Sequence, residues 1–193
     1  MVLFEQYIKA LLPTITESEL HQFKSAGQTI KLHRKERILQ EGEIFSAKIY
    51  LQSGLLRNYS ISDNGQEHIL KFTDAGSWTT DPESFYGGTP SKYNIEAIEN
   101  SEIILFQKDK FEHLKETIPS IQMLTETIIS STAQLNQNRL LLNLSATPEE
   151  KYIDFLQQYA DIFPRIPMHM IASYLGVSRE TLTRVRQNLL VGK

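Results

Sequence analysis

The amino-acid sequence predicts an α+β chain in which an antiparallel β unit is followed by a long helix and then by a small helical unit. Three observations carry this. Gly42, Gly54, Gly65 and Gly76 recur every 11 to 12 residues between short runs rich in β-branched and aromatic side chains, the spacing of a small antiparallel barrel or sandwich. After Phe106 the apolar period becomes helical. Finally, MHMIASYLGVSRETLTRVRQ, from Met168 to Gln187, carries small, glycine and apolar residues at the steps of a helix-turn-helix.

The elements follow in order. In TESELHQFKSAG, Thr16 precedes Glu19 by three residues and Leu20 and Phe23 follow, a capping box that opens a short helix ending at Gly27. From Thr29 to about Phe106 the runs IKLHRKERIL, AKIYLQ, LLRNYSI, EHILKF, YNIEAI and SEIILF read as strands. The DNG at Asp63–Gly65 is a hairpin turn between two of them. KDKFEHLKETIP is helical, and a longer run covers about Ser120 to Leu144. In it Ile121, Leu124, Ile128, Leu135 and Leu142 form a stripe interrupted by Ser131 and Asn138. Some 25 residues make a helix of roughly 37 Å, longer than a small barrel needs. It is expected to be a dimerisation helix, the alternative being a helix laid lengthwise on its own barrel. In ATPEEKYIDFLQQY, Thr147 is an N-cap, Pro148 the first helical residue and Glu150 the far side of a second capping box. The expected organisation is therefore a sensing unit at 1–118, a long helix at 119–146 and a helix-turn-helix unit at 147–193. The last is too small for a robust core of its own and should lean on the long helix or on a partner.

Composition removes several functions. The sequence has no cysteine, which excludes disulfides, thiolate zinc sites, cysteine nucleophiles and thiolate-bound iron–sulfur clusters. No apolar run reaches the roughly 18 residues of a membrane span, and Glu5 and Lys9 interrupt the amino terminus where a signal peptide would stay apolar, so a cytoplasmic chain with no membrane partner is expected. His33, His68 and His113 are scattered, no His-x-His with a following Glu occurs, and neither a Gly-x-Ser-x-Gly elbow nor a P-loop is present. Metal binding, haem binding and catalysis are not expected.

The carboxy-terminal motif points to nucleic acid. Ile171, Ala172, Leu175, Gly176, Val177, Leu182 and Val185 match a helix-turn-helix at seven steps: a small residue where helices cross, a glycine for the turn and apolar plugs between helices. Ser178 caps the second helix, on which Leu182, Val185 and Leu189 form the buried stripe. That leaves Ser178, Arg179, Glu180, Thr183, Arg184, Arg186 and Gln187 to face DNA. Arg179 and Arg184 suit guanine edges, Glu180 a cytosine amino group, and Arg186 a phosphate or solvent. The whole chain carries a net charge of −3, yet from Arg165 onward five basic residues oppose Glu180 alone, so the field is locally basic. The competing reading is a solvated helix face with a Glu180–Arg184 pair.

With ILQEGEIFSAKIYLQSGLLRNY, GQEHILKFTDAGSW and SRETLTR in place, nearly the whole chain resembles the Crp/Fnr family of bacterial transcription regulators. The resemblance implies a jelly-roll-like antiparallel double-stranded β-helix (a β-roll) flanked by helices, a dimerisation helix and a DNA-reading helix-turn-helix. It implies as partners double-stranded DNA, a second copy of the chain and RNA polymerase, with half-sites about 34 Å apart. In nucleotide-binding members a Gly-Glu pair holds the ribose and an Arg-Ser or Arg-Thr pair holds the cyclic phosphate. Thr80-Asp81 and Ser91-Lys92 stand at the matching places, with Gln134 or Asn138 facing them from the long helix. Lys92 lacks the bidentate fork of arginine, so a cyclic nucleotide is disfavoured and an unidentified small-molecule effector is expected. Many relatives continue into a β-hairpin wing where this sequence ends in VGK, so either a lower affinity or phosphate contacts from another element is expected. A second reading, from a different class, is a sensor that acts on protein partners without sequence-specific DNA binding.

Overall fold

A computed structural model describes residues 4–191, in which eight strands form two antiparallel four-stranded sheets. The first has the order β1 (Gln28–Leu32), β8 (Ser101–Gln107), β3 (Ala47–Ser53), β6 (Trp78–Thr79). The second has β2 (Arg37–Leu39), β7 (Asn94–Ala97), β4 (Leu55–Ile61), β5 (Glu67–Asp74). Leu39, Ile49, Leu51, Leu56, Ile95 and Ile103 form the buried core of the roll. The chain changes sheet at Gly42, Gly54 and Gly76. Gly54, between β3 and β4, has φ +99, and a Cβ there would lie 2.6 Å from the Ser101 Cα, so neither the backbone nor the space admits another residue. The DNG turn joins β4 to β5 with Gly65 at φ +80. IKLHRKERIL, read as a single run, divides between the two sheets. Glu36 closes the intervening turn by donating its N–H to the His33 carbonyl (2.9 Å) and accepting the His33 N–H on its carboxylate (2.8 Å).

Helices cover the outer face of each sheet. Over the first sheet lie α1 (Phe4–Leu11) and α2 (Glu17–Ala26), the latter opened by the Thr16/Glu19 capping box. The short α3 (Pro82–Gly87) follows β6, and α4 (Lys108–Thr117) leads into α5 (Pro119–Ser145). Phe4, Phe23, Tyr50, Trp78, Phe106 and Phe111 pack there edge to face and stacked. Ile121 and Leu124 close this cluster and Ile128 is half-buried. Beyond them the stripe on α5 leaves the core: Leu135 is 51% exposed and Leu142 half-buried, and the neighbouring Leu140, Leu141 and Leu144 are exposed.

The carboxy-terminal helices cover the second sheet. After the Thr147/Glu150 capping box come α6 (Pro148–Gln158), a 3₁₀ turn (Phe163–Arg165), α7 (Met168–Leu175) and α8 (Arg179–Val191). The expectation that this unit leans on the long helix or a partner is corrected here, because its apolar face lies mainly on the roll. Leu55, Tyr59, Ile69 and Phe72 of the second sheet, with Ile98 just after β7, share one core with Tyr152, Phe155, Ile162, Ile171 and Leu182. Phe72, Phe155, Tyr159 and Tyr174 have ring centroids 5.0–6.2 Å apart, close enough for aromatic pairing beyond simple burial. Polar ties reinforce the contact. The free edge of β5 is met by Ser173 of α7, whose hydroxyl accepts the Ile69 N–H (3.0 Å) and donates to the Glu67 carbonyl (2.7 Å). Arg165 donates to the Gly54 carbonyl (2.9 Å) and pairs with Glu99. Edge pairing is thereby blocked by the chain itself.

Candidate nucleic-acid interface and ligand cavity

The turn before α8 is built from local rules. Gly176 ends α7 at φ +68, donating its N–H to the Ala172 and Ser173 carbonyls, and Val177 donates back to Ala172 (3.0 Å). The Gly176 constraint is conformational, because a Cβ there would meet nothing within 4 Å. Ser178 accepts the Thr181 N–H (3.1 Å) as the cap of α8. Leu182 and Val185 are buried in the inter-helix angle and Leu189 packs against it. With that stripe turned inward, Ser178, Arg179, Glu180, Thr183, Arg184, Arg186 and Gln187 are all exposed. Among the described residues no carboxylate lies within ion-pair distance of Arg179, Arg184 or Arg186, so the Glu180–Arg184 pair of the competing reading is not formed. Arg186 lies on the flank, its Nη1 3.3 Å from the Met168 sulfur. Ser178 and Arg179 also border a crevice of about 390 Å³ with Gln66, Glu67 and His169. Burial first, and the charge of Arg179 second, hold the His169 imidazolium below its ordinary range. Lys193, counted in the basic tail, lies outside the described residues.

The six residues expected to hold an effector do not line one cavity, although Thr80 and Asp81 lie close to the Lys92–Tyr93 segment. Asp81 is buried and caps α3, accepting the N–H groups of Glu83 (3.0 Å) and Ser84 (3.2 Å). Its carboxylate thus occupies the amides that would otherwise be free to receive an anion. Ser91 is buried, its hydroxyl spent on the Tyr93 backbone. Lys92 is exposed and paired with Glu83 (2.8 Å). Gln134 donates to Asn138 (3.0 Å), and both are exposed on α5. Thr80 alone of the six lines the large cavity described next, donating its hydroxyl to the Ala47 carbonyl (2.7 Å).

That cavity, of about 530 Å³, opens between the roll and α5, within the size range of ligand sites. Trp78, Tyr86, Tyr93 and Phe111 supply aromatic walls, and Thr125, Ile128, Thr132 and Asn136 line it from α5. Its charged lining residues are Lys48, Lys71 and Arg139. The Lys48 ammonium sits 4.6 Å from the Phe85 ring centroid and 5.1 Å from that of Tyr86. Burial depresses its pKa to about 8, a smaller influence of Glu112 opposing the change. Lys71 donates to the Trp78 carbonyl (2.8 Å), and burial lowers its pKa as well.

Arg139 connects the cavity to the helix-turn-helix. The pairing of Asn58 with Lys71 and of Tyr59 with Ile69 leaves Leu70 as an extra residue, a bulge in β5. Arg139 donates to the Leu70 carbonyl, to Ile69 (2.9 Å) and to the Tyr174 carbonyl in α7 (2.9 Å), with its guanidinium carbon 3.9 Å from the Tyr174 ring centroid. Its Nε is buried without a partner. Sequence reasoning missed Lys48, Lys71 and Arg139. A signal existed for Lys48: in AKIYLQS it alternates onto the same strand face as Tyr50, a face already apolar enough to be covered.

Comparison with known proteins places these features in a group. Residues 29–117 match the cyclic nucleotide-binding domain family. The transcriptional activator protein FnrA of Stutzerimonas stutzeri is 25% identical over 167 residues, which are 80% of this chain and 67% of that protein. The regulatory protein HlyX of Actinobacillus pleuropneumoniae is 26% identical over 186 residues, 89% of this chain and 76% of that one. Among solved structures, FixK2 from Bradyrhizobium japonicum shares the fold with a TM-score of 0.76 at 18% identity, covering 86% of this chain and 85% of its own.

Proposed function

We propose that the chain is a transcription regulator of the Crp/Fnr family in which α8 reads double-stranded DNA as one half of a homodimer under control of a small molecule. The observation that carries the DNA reading is the side-chain arrangement on α8: seven exposed polar residues, three of them arginines without an ion-pair partner among the described residues, opposite a buried Leu182–Val185 stripe. Arg179 and Arg184 are the base readers, Glu180 and Thr183 lie between them, Gln187 lies about a turn beyond Arg184, and Ser178 and Arg186 serve the backbone. The apolar side chains exposed along α5 support a second copy aligned on that helix, with Gln134 and Asn138 near the seam. A two-fold pair would present its reading helices to successive major grooves about 34 Å apart. Selection from random double-stranded DNA is the test. A near-palindrome with half-sites one helical turn apart is expected, and recovery of unrelated sequences would sink the reading.

The domain type implies an effector site, and the cavity between roll and α5 is the proposed one. A ligand controls the molecule only by preferring one arrangement of the helix-turn-helix over another. Arg139 is the natural intermediary, since it lines the cavity and holds carbonyls of both β5 and α7. A cyclic nucleotide is disfavoured: the α3 amides are capped by Asp81 and Lys92 is committed to Glu83. Arg139→Lys keeps the charge but one ammonium cannot span the three carbonyls. It is expected to cost about 1–3 kcal/mol of unfolding free energy, read by urea titration. An unchanged midpoint would show that Arg139 does not clamp the two units.

A further inference from the structure

We propose that the cavity is a site for a small organic acid, a carboxylate on an apolar body, with Lys48 as its counter-charge; this rests on the reading of the cavity as the effector site. The lining has cations and no carboxylate: Lys48 and Lys71 come from the roll, Arg139 from α5. Among the described residues none of the three has an ion-pair partner within 4 Å. Lys71 and Arg139 spend donors on backbone carbonyls, whereas the one bond of Lys48 is to the Tyr86 hydroxyl (3.3 Å). Glu112 acts on Lys48 through its charge, but its hydrogen-bond partner is Lys115. A desolvated ammonium without a bonded counter-ion is an unfilled electrostatic requirement.

The surroundings select the kind of anion. Phe111, Tyr86, Trp78 and Ile128 offer apolar contact to the rest of the ligand. A phosphate would want a guanidinium fork or several amides, and the α3 amides are taken by Asp81. One compact ammonium amid aromatic rings suits a single negative charge.

The experiment uses the full chain, with Trp78, its single tryptophan, as a fluorescent reporter in the cavity wall. It is titrated at pH 7 with 4-phenylbutyrate, 2-naphthoate and octanoate, with the primary amide of each, and with cyclic AMP and inorganic phosphate. At least one carboxylate is expected to bind at least tenfold more tightly than its amide, and more tightly than cyclic AMP or phosphate. Lys48→Met, which removes a desolvated charge, is expected to fold and to abolish that preference; Lys48→Gln provides a second variant. The wild-type preference should weaken as pH rises through about 8, the Lys48 value, because only the ammonium form attracts the anion. Other titratable groups facing this region are Lys71, Tyr86, Tyr93, Glu112 and Lys115, so the pH effect is assigned by its absence in the Lys48 variants. Failure of every carboxylate to bind, equal binding of the amides, or unchanged binding by folded Lys48 variants overturns the proposal. DNA binding measured on the same samples separates the two readings. A carboxylate that binds through Lys48 without moving DNA affinity upholds the ligand class and removes effector control.

Discussion

Replacing Phe155 by alanine is expected to cost about 3–5 kcal/mol of unfolding free energy. The side chain is fully buried, with ring centroids 6.2 Å from Phe72 on the second sheet, 5.0 Å from Tyr159 and 5.5 Å from Tyr174. Its loss removes transfer energy and leaves a cavity at the contact between the roll and the helix-turn-helix. Because both contribute to one core, Trp78 fluorescence on the far sheet and far-ultraviolet circular dichroism should report one shifted transition. A loss below about 1 kcal/mol, or two separated transitions, would mean that the helical unit does not depend on the sheet.

Arg179→Ala is expected to weaken binding to the preferred DNA site by about 1–3 kcal/mol and to relax base choice at the corresponding position of each half-site. Arg179 opens α8 directly after the Ser178 cap, with its side chain exposed. Binding competition between the selected site and single-base variants reads both effects. Equal loss on every sequence would reassign Arg179 to the phosphates. The contrast with Arg186→Ala is informative, because Arg186 lies at the Met168 flank. Its loss should weaken all sequences alike.

What could be read from the sequence follows the range of the interactions involved. The Thr16 and Thr147 capping boxes, the DNG hairpin and the Gly176 turn are set by neighbours within four residues, and all are found in place. The stripe from Ile121 marked the long helix correctly, but periodicity alone could not say where its cover ends. The cavity between the roll and α5 was not legible because Lys48, Lys71 and Arg139 stand on β3, β5 and α5 and line it only after both sheets have formed. Asp81 shows a different failure. The run DPES is a local N-cap signature, with Asp81 before Pro82 at the first helical position, yet family resemblance drew attention to the ribose role instead. Gln134 and Asn138 are exposed on α5, while helical phase puts Asn136 and Arg139 on its cavity side.

The most direct test of the central claim, that an exposed basic face on α8 reads DNA, is the affinity of the full chain for its selected site across a salt series, alone and with Arg184→Ala. The wild type is expected to bind with log affinity falling linearly in log salt, by about 0.9 per phosphate neutralised. Arg184→Ala is expected to lose about 1–3 kcal/mol on the selected site. Binding that ignores both salt and the loss of Arg184 would contradict the account.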